Sequence, residues 1–108
     1  MILRGPAARA VFDPAKMGKA DLYGGAGLFA GLNAFEPGQS HEPHVHCGRD
    51  KLYVVLEGGG EVTIGETTEH VSVGDIAVAP AGVIHAVRNP GPDRLVLLTI
   101  IGPPPQPR

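Results

Sequence analysis

Apolar residues arrive in short runs separated by glycine and proline, with no long stretch of helical period. The first clear run, Gly27 to Phe35, ends at the turn signal Glu36-Pro37-Gly38. Further candidate strands follow at His41 to His46, Lys51 to Glu57, Glu61 to Ile64, Glu69 to Val73, Ile76 to Ala79, Ile84 to Arg88 and Arg94 to Ile101. Gly58-Gly59-Gly60, Gly74-Asp75, Pro80-Ala81-Gly82 and Asn89-Pro90-Gly91-Pro92 punctuate them, each suited to ending a ladder. Strands this closely spaced, without helices between them, predict antiparallel pairing, because parallel pairs need longer crossovers. The expectation is an all-β jelly-roll barrel of two antiparallel sheets over residues 26–101. Ahead of it, residues 1–25 read as an N-terminal arm, and behind it residues 102–108 as an extended Pro-rich tail. Within the arm, Asp13 as N-cap and Pro14 at the first helical position predict a short helix, limited by Gly18.

Composition narrows the class. Sixteen glycines and 11 prolines make up a quarter of the 108 residues, yet 43% are hydrophobic, too many for a disordered tract. One domain with one core is the size that fits. A formal charge of -2 leaves no electrostatic footprint for nucleic acid or an anionic membrane, so neither is expected as a partner. The strongly apolar run Leu95 to Ile101 is too short to span a bilayer, and the opening residues lack the apolar core of a signal peptide. A single cysteine, Cys47, excludes an intramolecular disulfide. These features predict a cytoplasmic protein.

Of five histidines, His41, His44 and His46 fall within six residues, with His70 and His85 elsewhere. On a strand, residues two apart share a face, so His44 and His46 can present both imidazoles to one point, whereas His41 has the opposite parity. A solvated, polar strand end explains the same cluster without a metal. His70, between Glu69 and Val71, reads as a surface residue.

Two longer spacings bear on that choice. From Gly38 the chain reads Gly-x5-His44-x-His46, a tetrapeptide, then Lys51-x6-Gly58; from Gly74 it reads Gly-x5-Pro80-x-Gly82-x2-His85-x3-Asn89, with 15 residues between Gly58 and Gly74. These resemble the two signature motifs of the cupin family, G-x5-H-x-H-x3–4-E-x6-G and G-x5-P-x-G-x2-H-x3-N. The second matches at every fixed position, the first at every fixed position except the glutamate. The resemblance implies a small double-stranded β-helix with metal ligands at His44, His46 and His85. Neutral imidazoles suit first-row divalent ions such as Fe, Mn, Ni or Zn, and open positions leave room for water, oxygen or a small organic substrate. Dioxygenase, isomerase, decarboxylase and cyclase chemistry all occur in the family. The alternative is a non-catalytic or metal-free small-molecule-binding cupin.

The missing glutamate leaves two registers open. Counting back six from Gly58 places Lys51 there, while counting three from His46 places Asp50 there. Asp50 would complete three histidines and a carboxylate. An inward Lys51 would repel a divalent cation unless burial and like charge lowered its pKa sharply. The count to Gly58 runs through a regular strand and favours Lys51, since turns tolerate insertions and strands resist them. Tyr53 is a further pocket candidate, with a packed aromatic as its plainer role, and Cys47 reads as a spectator thiol. Leu95 to Ile101 is apolar on both alternate faces, more than one barrel interior can cover, which predicts a homodimer.

Overall fold

The computed structural model describes residues 1–104. Among the described residues nine strands follow in order: β1 (Gly18–Gly24), β2 (Phe29–Phe35), β3 (Ser40–His44), β4 (Asp50–Glu57), β5 (Gly59–Ile64), β6 (Thr67–Ser72), β7 (Ile76–Ala79), β8 (His85–Arg88) and β9 (Leu95–Gly102). They make a five-stranded sheet in the order β1-β2-β9-β4-β7 and a four-stranded sheet in the order β3-β8-β5-β6. Every neighbouring pair is antiparallel. This is the all-β, two-sheet architecture expected from the strand spacing.

The N-terminal region differs from expectation. No helix follows Asp13; its Oδ1 accepts the Ala15 N–H at 2.8 Å and closes a turn. With β1 starting at Gly18, the segment has no length to propagate a helix whose nucleus is costly. The single helical element among the described residues is a 3-10 turn at Pro6–Arg9. Residues 18–24, expected in the arm, instead form an edge strand paired with β2. Gly18 is required there, because a Cβ would collide with the Val11 carbonyl oxygen. At the other end β9 runs to Gly102. Residues 105–108 of the expected tail lie outside the described residues.

The core lies between the sheets. Phe35, Tyr53, Val55, Val62, Val87, Leu95 and Leu97 are each at most 3% exposed and pack with Met17 into one cluster. Burying each of the large ones contributes roughly 1.5–3 kcal/mol. Strand β4 shows how the fold sorts its residues by parity. Lys51, Tyr53 and Val55 are buried and stand opposite Ile101, Thr99 and Leu97 of β9. Leu52 and Val54 point to the outer face, in register with Ile100 and Leu98 on one side and with Val78 and Ile76 on the other.

Candidate metal centre

His44, His46 and His85 come together at one end of the barrel, with one nitrogen from each lying within 4.8 Å of the others. His85 opens β8 and is paired directly with His44, the last residue of β3. Their ring centroids are 4.0 Å apart, and those of His46 lie 5.1 Å from His44 and 5.4 Å from His85. Strand alternation does not place His46, as the sequence spacing had suggested. Strand β3 ends at His44, and His46 reaches the group from the loop beyond it.

Two backbone carbonyls orient the rings. His44 Nδ1–H donates to the Glu42 carbonyl at 2.8 Å, and His85 Nδ1–H to the Val83 carbonyl at 3.1 Å. A carbonyl only accepts, so the proton sits on Nδ1 and each Nε2 carries a lone pair. Both Nε2 atoms are buried without a hydrogen-bond partner. An imidazole pinned at one nitrogen with its other lone pair unused is the arrangement a metal ligand needs. The residues present therefore fit a divalent cation.

Electrostatics keep the imidazoles neutral. Burial, followed by the charge of Lys51, pushes His46 down to about 4. Burial is also the main cause that lowers His44 and His85, against the opposing pull of their carbonyl bonds. At neutral pH the lone pairs are available.

The position of the expected glutamate is taken by Lys51, whose side chain turns into the barrel and is 4% exposed. Its Nζ lies 4.8 Å from the centroid of the Tyr53 ring, a cation–π distance. Burial and the neighbouring Lys19 lower it to about 8, so it still carries its charge at pH 7. Tyr53 is fully buried, its ring centroid 6.1 Å from that of His85, and burial pushes its phenol up. Tyr53 Oη and Thr99 Oγ1, on facing residues of β4 and β9, both lack partners.

Asp50 is not brought to the group. It is exposed, and its Oδ1 accepts the Ala81 N–H at 2.9 Å. Gly82, at φ 78°, donates its N–H to the His46 carbonyl at 2.9 Å. These two bonds tie the His46–Asp50 loop to the turn that precedes His85. Asp50 is thus a tie between the two histidine segments. Cys47 is exposed beside His46, and His70 is exposed on β6.

One residue of the cluster escapes the parity argument. The His41 ring centroid is 4.0 Å from that of His44, although three positions separate them. A register shift between His41 and His44 accounts for it. Pro43 is the readable signal: it cannot donate to a ladder and favours an irregular edge strand. Burial and the adjacent His44 and Lys51 lower His41 to about 3.

Fold and site together define a small two-sheet barrel with an open three-imidazole centre at one end. A sequence model of the cupin domain matches residues 31–101, and the chain belongs to the cupin family. It is 34% identical over 79 residues to an uncharacterized protein of Streptomyces coelicolor, covering 71% of each chain. It superposes on the crystal structure of TT1209 from Thermus thermophilus with a TM-score of 0.92 at 36% identity, covering 97% of this chain and 100% of that one. It also matches mannose-1-phosphate guanylyltransferase RfbM of Salmonella typhimurium at 37% identity over 65 residues, which are 60% of this chain and only 14% of that enzyme. Among the described residues no helix is long and apolar enough to cross a membrane.

Proposed function

We propose that the chain is a cupin in which His44, His46 and His85 hold one divalent first-row metal ion, Fe, Mn, Ni or Zn, facing a pocket for a small organic molecule. The observation that carries this reading is the pair of buried, unpartnered Nε2 atoms on His44 and His85, each ring pinned through Nδ1. The ion, when bound, supplies a Lewis acid at which a substrate oxygen is polarised. The chain's own part is to hold three neutral donors in place, exclude water from one side through Tyr53 and Val87, and leave the mouth open.

Elemental analysis of protein purified without a histidine tag tests the proposal. About one ion per chain is expected, together with a rise in Tm on adding Zn or Ni to stripped protein. Absence of bound metal, with no change in Tm, would overturn it. One observation favours a second reading, a metal-free binding pocket: the buried ammonium of Lys51 stands where a carboxylate would strengthen cation binding. The same titration decides between the two.

The outer face of the five-stranded sheet supports a homodimer. Leu52, Val54, Leu98 and Ile100 are only half-buried there, and Ile76 and Val78 are 60% and 53% exposed. A second copy would cover this face. Light scattering should return twice the chain mass, reduced to one by Ile76→Asp with Val78→Asp; a wild-type monomer at micromolar concentration would contradict it.

A further inference from the structure

The charged groups inside the barrel mouth carry one sign. Lys51 is buried, and among the described residues the ion pairs are Arg88 with Glu61 and Arg94 with Glu36, so no carboxylate answers Lys51. A buried charge with no counter-ion is costly, and an anionic ligand relieves that cost when it binds.

A cleft of about 540 Å³ adjoins the histidine cluster at His41. It runs between β1 and β3, the edge strands of the two sheets, and Lys16, Lys19, Ser40 and His41 are among the residues that line it. His41 lines it and its ring packs on that of His44, so the cleft touches the three-histidine centre through one residue. Two acids also border the cleft. Asp13 is engaged with the Ala15 N–H, and Glu42 is exposed, one residue on from His41 along the strand. Lys16 and Lys19 place two cations at its lip.

We propose that the cleft between β1 and β3 is the substrate entrance and that the substrate is a small organic carboxylate, its charge met by Lys51 inside the barrel and by Lys19 at the lip. This deepens the pocket reading above and rests on it. Two lysines are separate point charges, without the arginine fork or helix N-terminus that a phosphate site uses, and so suit a singly charged carboxylate better.

The test is a titration followed by amide NMR, on metal-free and on Zn-loaded full-length protein. The probes are propionate and benzoate, each against its neutral amide, and inorganic phosphate. The acids should move the amides of Lys19, Ser40, His41 and Lys51, while the neutral amides should not. Lys51→Met should weaken acid binding by about tenfold, the value of one well-placed charge, without lowering Zn affinity. Lys51→Arg should retain most of the binding, and Lys19→Met should lose less than Lys51→Met does. The dispersion of each variant's spectrum reports whether it folds; if Lys51→Met does not, Lys19→Met and Lys51→Arg carry the test. Equal binding of acid and amide, no binding of either acid at millimolar concentration, tighter binding of phosphate, or indifference to the lysine variants would overturn the proposal. Failure of Zn to bind wild-type protein would remove the metal centre instead, and the metal-free titration would still read the anion site.

Discussion

The backbones of the two histidine-bearing segments are held by different means. In the second, Pro80 to Asn89, backbone order does the work: a tight turn leads into β8, and β8 pairs on both sides, with β3 and with β5. The strand closes on Asn89, which is fully buried and donates from Nδ2 to the carbonyls of Phe35 and Asp93 while its Oδ1 accepts the Gly91 N–H. In the first, His41 to Asp50, the strand lies at a sheet edge, shifts register at Pro43 and stops before His46. His44 there is pinned by one bond to a backbone carbonyl, as His85 is, and His46 follows a loop whose carbonyl accepts the Gly82 N–H. Regular backbone places His85, and the irregular segment is adjusted to meet it. The departure from the usual cupin pattern, Lys51, stands just beyond this segment, in β4.

The largest effect should come from the regular side. Asn89→Ala strands the Phe35 and Asp93 carbonyls and the Gly91 amide, and should cost about 2–4 kcal/mol in urea unfolding. Pro43→Ala, at the bulge, should cost under about 1 kcal/mol. Equal costs would erase the contrast between the segments.

Just beyond the irregular segment, Lys51→Glu replaces a buried cation with a carboxylate. Zn affinity measured by competition with a chelator should rise about tenfold or more. No gain would mean that position 51 does not face the ion. Asp50→Ala should be smaller, costing about 1 kcal/mol of stability through the lost bond to Ala81 while Zn affinity stays within about threefold. A loss of Zn binding as large as that of a histidine variant would instead make Asp50 a ligand.

Acid should read the same cluster in the metal-free protein. His41 and His46 are held at about 3 and about 4, and His44 and His85 are also lowered, all mainly by burial. The unfolded chain takes up protons near pH 6.5 while the folded chain does not, so it binds more protons below that value. Stability is therefore complete above about pH 6.5 and declines as pH falls toward about 4. A Tm profile that is flat across this window would contradict buried, neutral imidazoles; His41→Ala should make it shallower.

How much of this was legible in the sequence follows the same division. The second segment reads straight through, because each turn residue fixes a backbone feature: Gly82 at positive φ, His85 at a strand start, Asn89 at its close. The first segment does not, because parity counting assumes an unbroken ladder and Pro43 breaks it. His41 was thereby assigned away from the cluster it joins. Strand β1 was missed because Lys19 to Tyr23 offers a weak alternation between two glycines, and its partner β2 supplies what the local pattern lacks. The choice between Lys51 and Asp50 rests in the sequence on two counts, of which the one through the regular strand favours Lys51; in the structure Lys51 is buried, while Asp50 is exposed and accepts the Ala81 N–H.

X-ray absorption at the zinc edge of Zn-loaded protein addresses the three-imidazole centre most directly. Three imidazole nitrogens are expected at about 2.0–2.1 Å, reduced to two in His85→Ala. A sulfur neighbour at about 2.3 Å, which would bring in Cys47, or a spectrum unchanged by His85→Ala, would contradict it.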